Sequence, residues 1–147
     1  MQRQAYSQAM TAFEAALQHG GDGRKAHMGC GMAAVGLDRL DHAWTAFQAV
    51  LNISPDDTEA INWLLRVGTA LQRWPLLCKG LHRFVQRNPG DLSLRYALAG
   101  VAIRAEQYDL ARAQYDAVRL LDPHYDGLSE LAKALDDREA CMVPHAP

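Results

Sequence analysis

The sequence has little with which to declare a chemistry. Its 15 Lys and Arg nearly balance 17 Asp and Glu, for a formal net charge of −2. That leaves no basic field to draw the chain to nucleic acid or to an anionic membrane. No apolar run approaches the roughly 20 residues that span a bilayer, so no membrane insertion is expected. The N-terminal stretch MQRQAYSQAMTAFEAAL lacks the unbroken apolar core of an export signal. The three cysteines, Cys30, Cys78 and Cys141, are odd in number and widely spaced, which argues against a disulfide framework and for a reducing, cytoplasmic location. Cys30 and Cys78 fall on apolar helical faces, where a free thiol acts as a small core residue. The six histidines form no HxxxH or HExxH pair, so no metal centre is expected. No GxSxG occurs, and no serine has a locally evident base. The expectation is a protein that is not an enzyme and uses no cofactor. Gly29-Cys30-Gly31 with Gly36 has the outward form of a phosphate loop, but such a loop follows a strand and opens a helix. Here the glycines lie inside a helical pattern.

What is present is periodicity. A composition 49% hydrophobic and 22% charged belongs to a soluble globular domain, and the length suffices for one core. Ala43, Phe47, Val50 and Pro55 return as Ala111, Tyr115, Val118 and Pro123. A rougher copy between them holds Leu77, Leu81, Phe84 and Pro89. The prolines are each 34 residues apart, and a fixed period on helical spacing marks a stacked helix–turn–helix array. The apolar spacing predicts helices over 3–18, 24–37, 41–53, 58–71, 75–87, 92–105, 108–121 and 127–140. Ser54-Pro55, Asn88-Pro89 and Asp122-Pro123 punctuate the repeats, since proline cannot continue the incoming helix. In the last helix Leu128, Leu131, Ala132 and Leu135 form one apolar face, as a solenoid's terminal cap requires.

With this period and these anchors the chain resembles the tetratricopeptide repeat (TPR) family. The resemblance implies an all-α, right-handed superhelical solenoid of antiparallel helix pairs. Residues 1–23 then form a half-repeat helix and a Gly-rich turn. Repeats follow at 24–57, 58–91 and 92–125, a capping helix at 126–141 and a flexible tail at 142–147. Small residues in the family pattern allow close helix approach: Gly31 or Ala99 faces Ala43 or Ala111 while Phe47 or Tyr115 fills the neighbouring gap. The second repeat diverges, with Leu65 and Leu77 at the close-contact places and Gly68 where a large ring is usual. Of the three tryptophans, Trp44 and Trp74 read as core, and Trp63, in a first helix, as more open.

The resemblance also implies a concave groove lined by the first helix of each repeat. Lys25 lines it beside Met28, Met32 and Val35, which give it an adaptable apolar end, since methionine accepts varied partners. Asn62 and Arg66 supply a polar middle, and Tyr96, Ile103 and Arg104 a mixed end. The family's clamp for a C-terminal carboxylate is not matched: Asn62 stands one place from the expected asparagine and the partner lysines are missing. The implied function is non-catalytic capture of a protein or peptide partner. In size and plan the chain is similar to the TPR chaperones of bacterial type III secretion. A self-assembling scaffold and a TPR segment related to a larger enzyme are the alternatives.

The first helix places Tyr6, Met10, Phe13 and Leu17 on one stripe, although it has only the following repeat to pack on. Two outcomes stay open. The stripe self-associates as a two-fold homodimer, or the helix tilts inward and buries it alone.

Overall fold

The computed structural model describes residues 2–142, and all structural statements concern these. They form eight helices and no strand. By compactness the chain divides into residues 1–73 and 74–147, a boundary that falls within the predicted second repeat. The segment from 143 onward, most of the expected flexible tail, lies outside the described residues.

The first unit holds α1 (Gln2–Gln18), α2 (Gly23–Gly36), α3 (Leu40–Ile53) and α4 (Thr58–Leu71). Asp22 and Asp57 start α2 and α4 by accepting from the Lys25 and Ala60 amides at 3.2 and 3.0 Å, which satisfies N–H groups that a helix start leaves unpaired. α2 packs on α1 and on α3, and α3 packs in turn on α4. Because α2 is enclosed on two sides, it buries Ala26, Cys30, Gly31, Ala33 and Ala34 and has no clean polar face. Its glycines act as seats for rings. A Cβ at Gly31 would stand 2.5 Å from Phe47, and one at Gly36 would stand 2.6 Å from Tyr6. One at Gly29 would strike the ring of Phe13. These are the glycines with the outward form of a phosphate loop.

The second unit holds α5 (Trp74–Arg87), α6 (Leu92–Arg104), α7 (Tyr108–Leu121) and α8 (Leu128–Met142). Asp91 caps α6 through the Leu94 amide at 3.1 Å. α6 packs on α5, α7 and α8, and Leu94, Leu98, Ala99 and Ala102 of α6 are buried, as are Leu81, Phe84, Ala111, Val118 and Leu135 of its neighbours. Leu128 and Leu131 are buried as expected of a cap, and Ala132 is half-buried. Gln114 is a buried polar residue, and its Oε1 accepts from Arg95 Nη1 at 2.9 Å.

The turns inside helix pairs carry a mark the sequence reading missed. Asp38, Gln72 and Glu106 have positive φ of 59°, 55° and 60°, and they too are 34 residues apart. A left-handed residue ends each first helix and reverses the chain. Glycine is the usual choice there, so three polar non-glycine residues give no obvious signal.

Candidate partner-binding face

Five of the sequence-predicted groove residues lie on the first unit's α2 and α4 with their side chains at least partly outside the core. On α2 they are Lys25 and Met32, both exposed, and half-buried Val35. Steps of seven and three residues set all three on one stripe. Met32 is 44% exposed, while Met28 on the same stripe is only 6% exposed and belongs to the core. On α4, Asn62 and Arg66 are exposed one turn apart. The starts of the two helices are tied by Arg24, whose Nε lies 2.5 Å from Asp57 Oδ2 and whose Nη2 lies 3.6 Å from Glu59.

The Asp57 side chain is 5% exposed. Burial pushes its carboxyl up, but the Arg24 hydrogen bond and the Ala60 and Glu59 amides outweigh that and hold it below the usual aspartate range. The sequence gives Glu59 a groove place but assigns no role to Arg24 or Asp57. The signal was the Asp-x-x spacing at 22, 57 and 91, once per repeat just ahead of each first helix.

Arg66 is set by a stack that begins in the core. Phe47 sits on Gly31, Trp63 lies parallel to Phe47 at 5.5 Å and 6°, and the Arg66 guanidinium lies over Trp63 at 5.1 Å. Trp63 is therefore half-buried, more packed than its sequence position implied. Trp44 is buried as expected, with Arg73 over its ring at 5.7 Å. Arg73 also pairs with Asp41. Each guanidinium gains from the face of the indole while its donors stay in water.

The remaining predicted groove residues lie on α6, in the second unit. Ile103 is buried. The Tyr96 hydroxyl donates to the Gly127 carbonyl at 3.4 Å, and its ring tilts against Tyr125 at 5.5 Å. Burial, then Glu130, Tyr125 and Asp126, push its hydroxyl above the usual tyrosine value. Tyr96 thus already serves the turn into α8. Arg104 is exposed and lies over half-buried Trp74 at 5.4 Å.

The α1 stripe is largely engaged by α2. Met10 is buried, Phe13 and Leu17 are half-buried, and Tyr6 is 38% exposed. Arg3 adds a donor to the Leu37 carbonyl at 3.4 Å.

Among solved structures, the chain is similar to MamA MSR-1 C2, with a TM-score of 0.60 and 19% identity. The likeness covers 92% of this chain and 89% of that one. No family model matches the chain, and no curated protein matches its sequence. At that identity the likeness speaks for fold alone, and with the eight helices it establishes an all-α, TPR-like fold.

Proposed function

We propose that the chain is a non-catalytic protein-interaction module. The exposed α2–α4 face takes a partner segment that presents an apolar side chain beside a carboxylate. The observation behind this is Arg66, exposed yet oriented through Trp63 and Phe47 from the core. A guanidinium already directed loses little freedom on pairing with a carboxylate, and its fork matches that geometry. Lys25 adds a second cation on this face, and Met32 offers adaptable apolar contact. In its own unit, Arg104 over Trp74 is a cation of the same kind. Cytoplasmic location and a secretion-chaperone role are narrower forms of the reading, resting on the cysteine pattern and on size and plan.

Selection from a displayed peptide library tests it. Wild type is expected to enrich segments that combine Asp or Glu with an apolar residue, and Lys25→Glu/Arg66→Glu to lose that enrichment. Enrichment unchanged by the double variant would remove this face as the site.

Self-association through α1 is the second reading. It rests on the exposed edge of Tyr6 and the partial faces of Phe13 and Leu17. Met10 is buried and the two rings are seated on Gly29 and Gly36, so such an interface would rest on these partial faces.

A further inference from the structure

On the side of α2 roughly opposite Lys25 and Met32, a half-open cleft of about 260 Å³ separates α1 from α3. Small side chains make the space: Ala46 and Ala49 on α3, and Cys30 on α2, face Leu17 of α1. The volume falls below the range of cofactor and drug-sized sites and is right for one long side chain. The walls are apolar, but the mouth is not. Glu14 lines it from α1, and His27 and His42 line it from α2 and α3. Glu14 Oε1 lies 3.9 Å from His42 Nε2, beyond hydrogen-bond reach. Among the described residues nothing donates a hydrogen bond to this carboxylate. Thr45, also in the lining, directs its hydroxyl to the Asp41 carbonyl at 3.2 Å. The Glu14 charge nevertheless reaches the floor: burial first, then Glu14, pushes the Cys30 thiol up, so the floor stays an uncharged thiol at neutral pH.

An apolar slot of this size, with a half-exposed carboxylate at its mouth that His42 meets only at 3.9 Å, suits a guest with an apolar stem and a cationic head. We infer that the α1–α3 cleft receives a basic side chain, arginine or lysine, from a partner protein. Its methylenes lie along Leu17, Ala46 and Ala49, and its head pairs with Glu14. Long basic side chains bury their stems on apolar surface while the charge stays near water, and a carboxylate is the strongest acceptor for the head. This site is independent of the α2–α4 face, which is expected to select acidic segments. One partner carrying both signs of charge would contact both sides of α2.

The test is a titration of the full chain with blocked pentapeptides Ac-Gly-Ala-X-Ala-Gly-NH2, followed by ¹H–¹⁵N spectra. X is arginine, norleucine or glutamate. The arginine peptide is expected to shift amides around 14–17, 27–30 and 42–49, with affinity about fivefold above norleucine. Glutamate is expected to shift none of them. Glu14→Gln, at a side chain half exposed to solvent, is expected to erase the preference while leaving the thermal melt unchanged. Norleucine binding as well as arginine would overturn the basic guest, as would a preference that survives Glu14→Gln. Absence of localised shifts with every peptide would overturn the site itself. None of these results depends on Lys25, Met32 or Arg66, so failure here is distinct from failure of the α2–α4 face.

Discussion

The rings of Phe47 and Trp63 lie parallel, 6° apart with centroids 5.5 Å from each other, and this stack joins the core to the candidate binding surface. Below it, Gly31 makes room for Phe47. Above it, Trp63 supports the Arg66 guanidinium. Three helices are thereby coupled through one column of side chains.

The column gives the first stability prediction. Phe47 is fully buried, so Phe47→Ala is expected to cost about 3–5 kcal/mol by chemical denaturation. Gly31→Ala gains about 1 kcal/mol of helix propensity. Its Cβ would still stand 2.5 Å from a ring with no room to retreat, so a net loss of about 1–3 kcal/mol is expected. A Gly31→Ala variant as stable as wild type would show that Phe47 is not seated there.

How much of this was legible in the sequence follows from which residues carry periodic signals. The places of Phe47, Val50 and Pro55 recur at a 34-residue spacing, and that repetition, with the apolar stripes of the first and last helices, located all eight helices to within two residues at every boundary. Site details were less legible because they depend on side-chain direction. Met28 and Met32 share a stripe four residues apart, yet only Met32 remains outside the core. Ile103 and Tyr96 were read as groove lining, whereas one is buried and the other reaches Gly127. The cleft beside Cys30 had no signal, because it arises from what Ala46 and Ala49 leave unfilled.

Asp57 gives a pH prediction. Its carboxyl is held below the ordinary aspartate value in the folded chain. It therefore contributes stability that is present above the unfolded value of about 3.9 and is lost as pH falls through the lower folded value. Asp57→Asn keeps a residue able to cap α4 but removes the charge. Acid titrations of stability are expected to show a shallower loss below about pH 4 for the variant. At pH 7 the cost is expected to stay under about 1 kcal/mol, since Arg24 is well exposed and its pairing is screened. Identical acid limbs would contradict the Arg24–Asp57 pairing.

Glu106 turns the chain between α6 and α7 at φ 60°. Left-handed backbone costs a non-glycine residue about 1–2 kcal/mol, part of which glycine returns as unfolded-state entropy. Glu106→Gly is expected to stabilise by about 0.5–1 kcal/mol, and Glu106→Val, β-branched, to destabilise by more than that. Thermal denaturation of the pair checks this. The opposite order would mean the turn is not left-handed.

The engaged α1 stripe predicts its own variant. Tyr6→Glu/Met10→Glu removes a ring seated on Gly36 and a buried methionine. It is expected to expose α1 to amide hydrogen exchange and to lower stability by about 2–4 kcal/mol. Wild type is expected to sediment as a monomer at high micromolar concentration. A wild-type dimer that the variant dissociates without loss of α1 protection would restore self-association as the role of this edge.

Arg66 and Met32 are proposed to act as one face that holds a partner segment. The decisive experiment is isothermal titration of the most enriched selected peptide against wild type, Arg66→Glu and Met32→Ala. Both side chains are exposed, so both variants are expected to melt near the wild-type temperature. Arg66→Glu is expected to weaken binding about a hundredfold, by reversing a charge-assisted pair, and Met32→Ala about tenfold. Affinities within about twofold of wild type for both variants would contradict it.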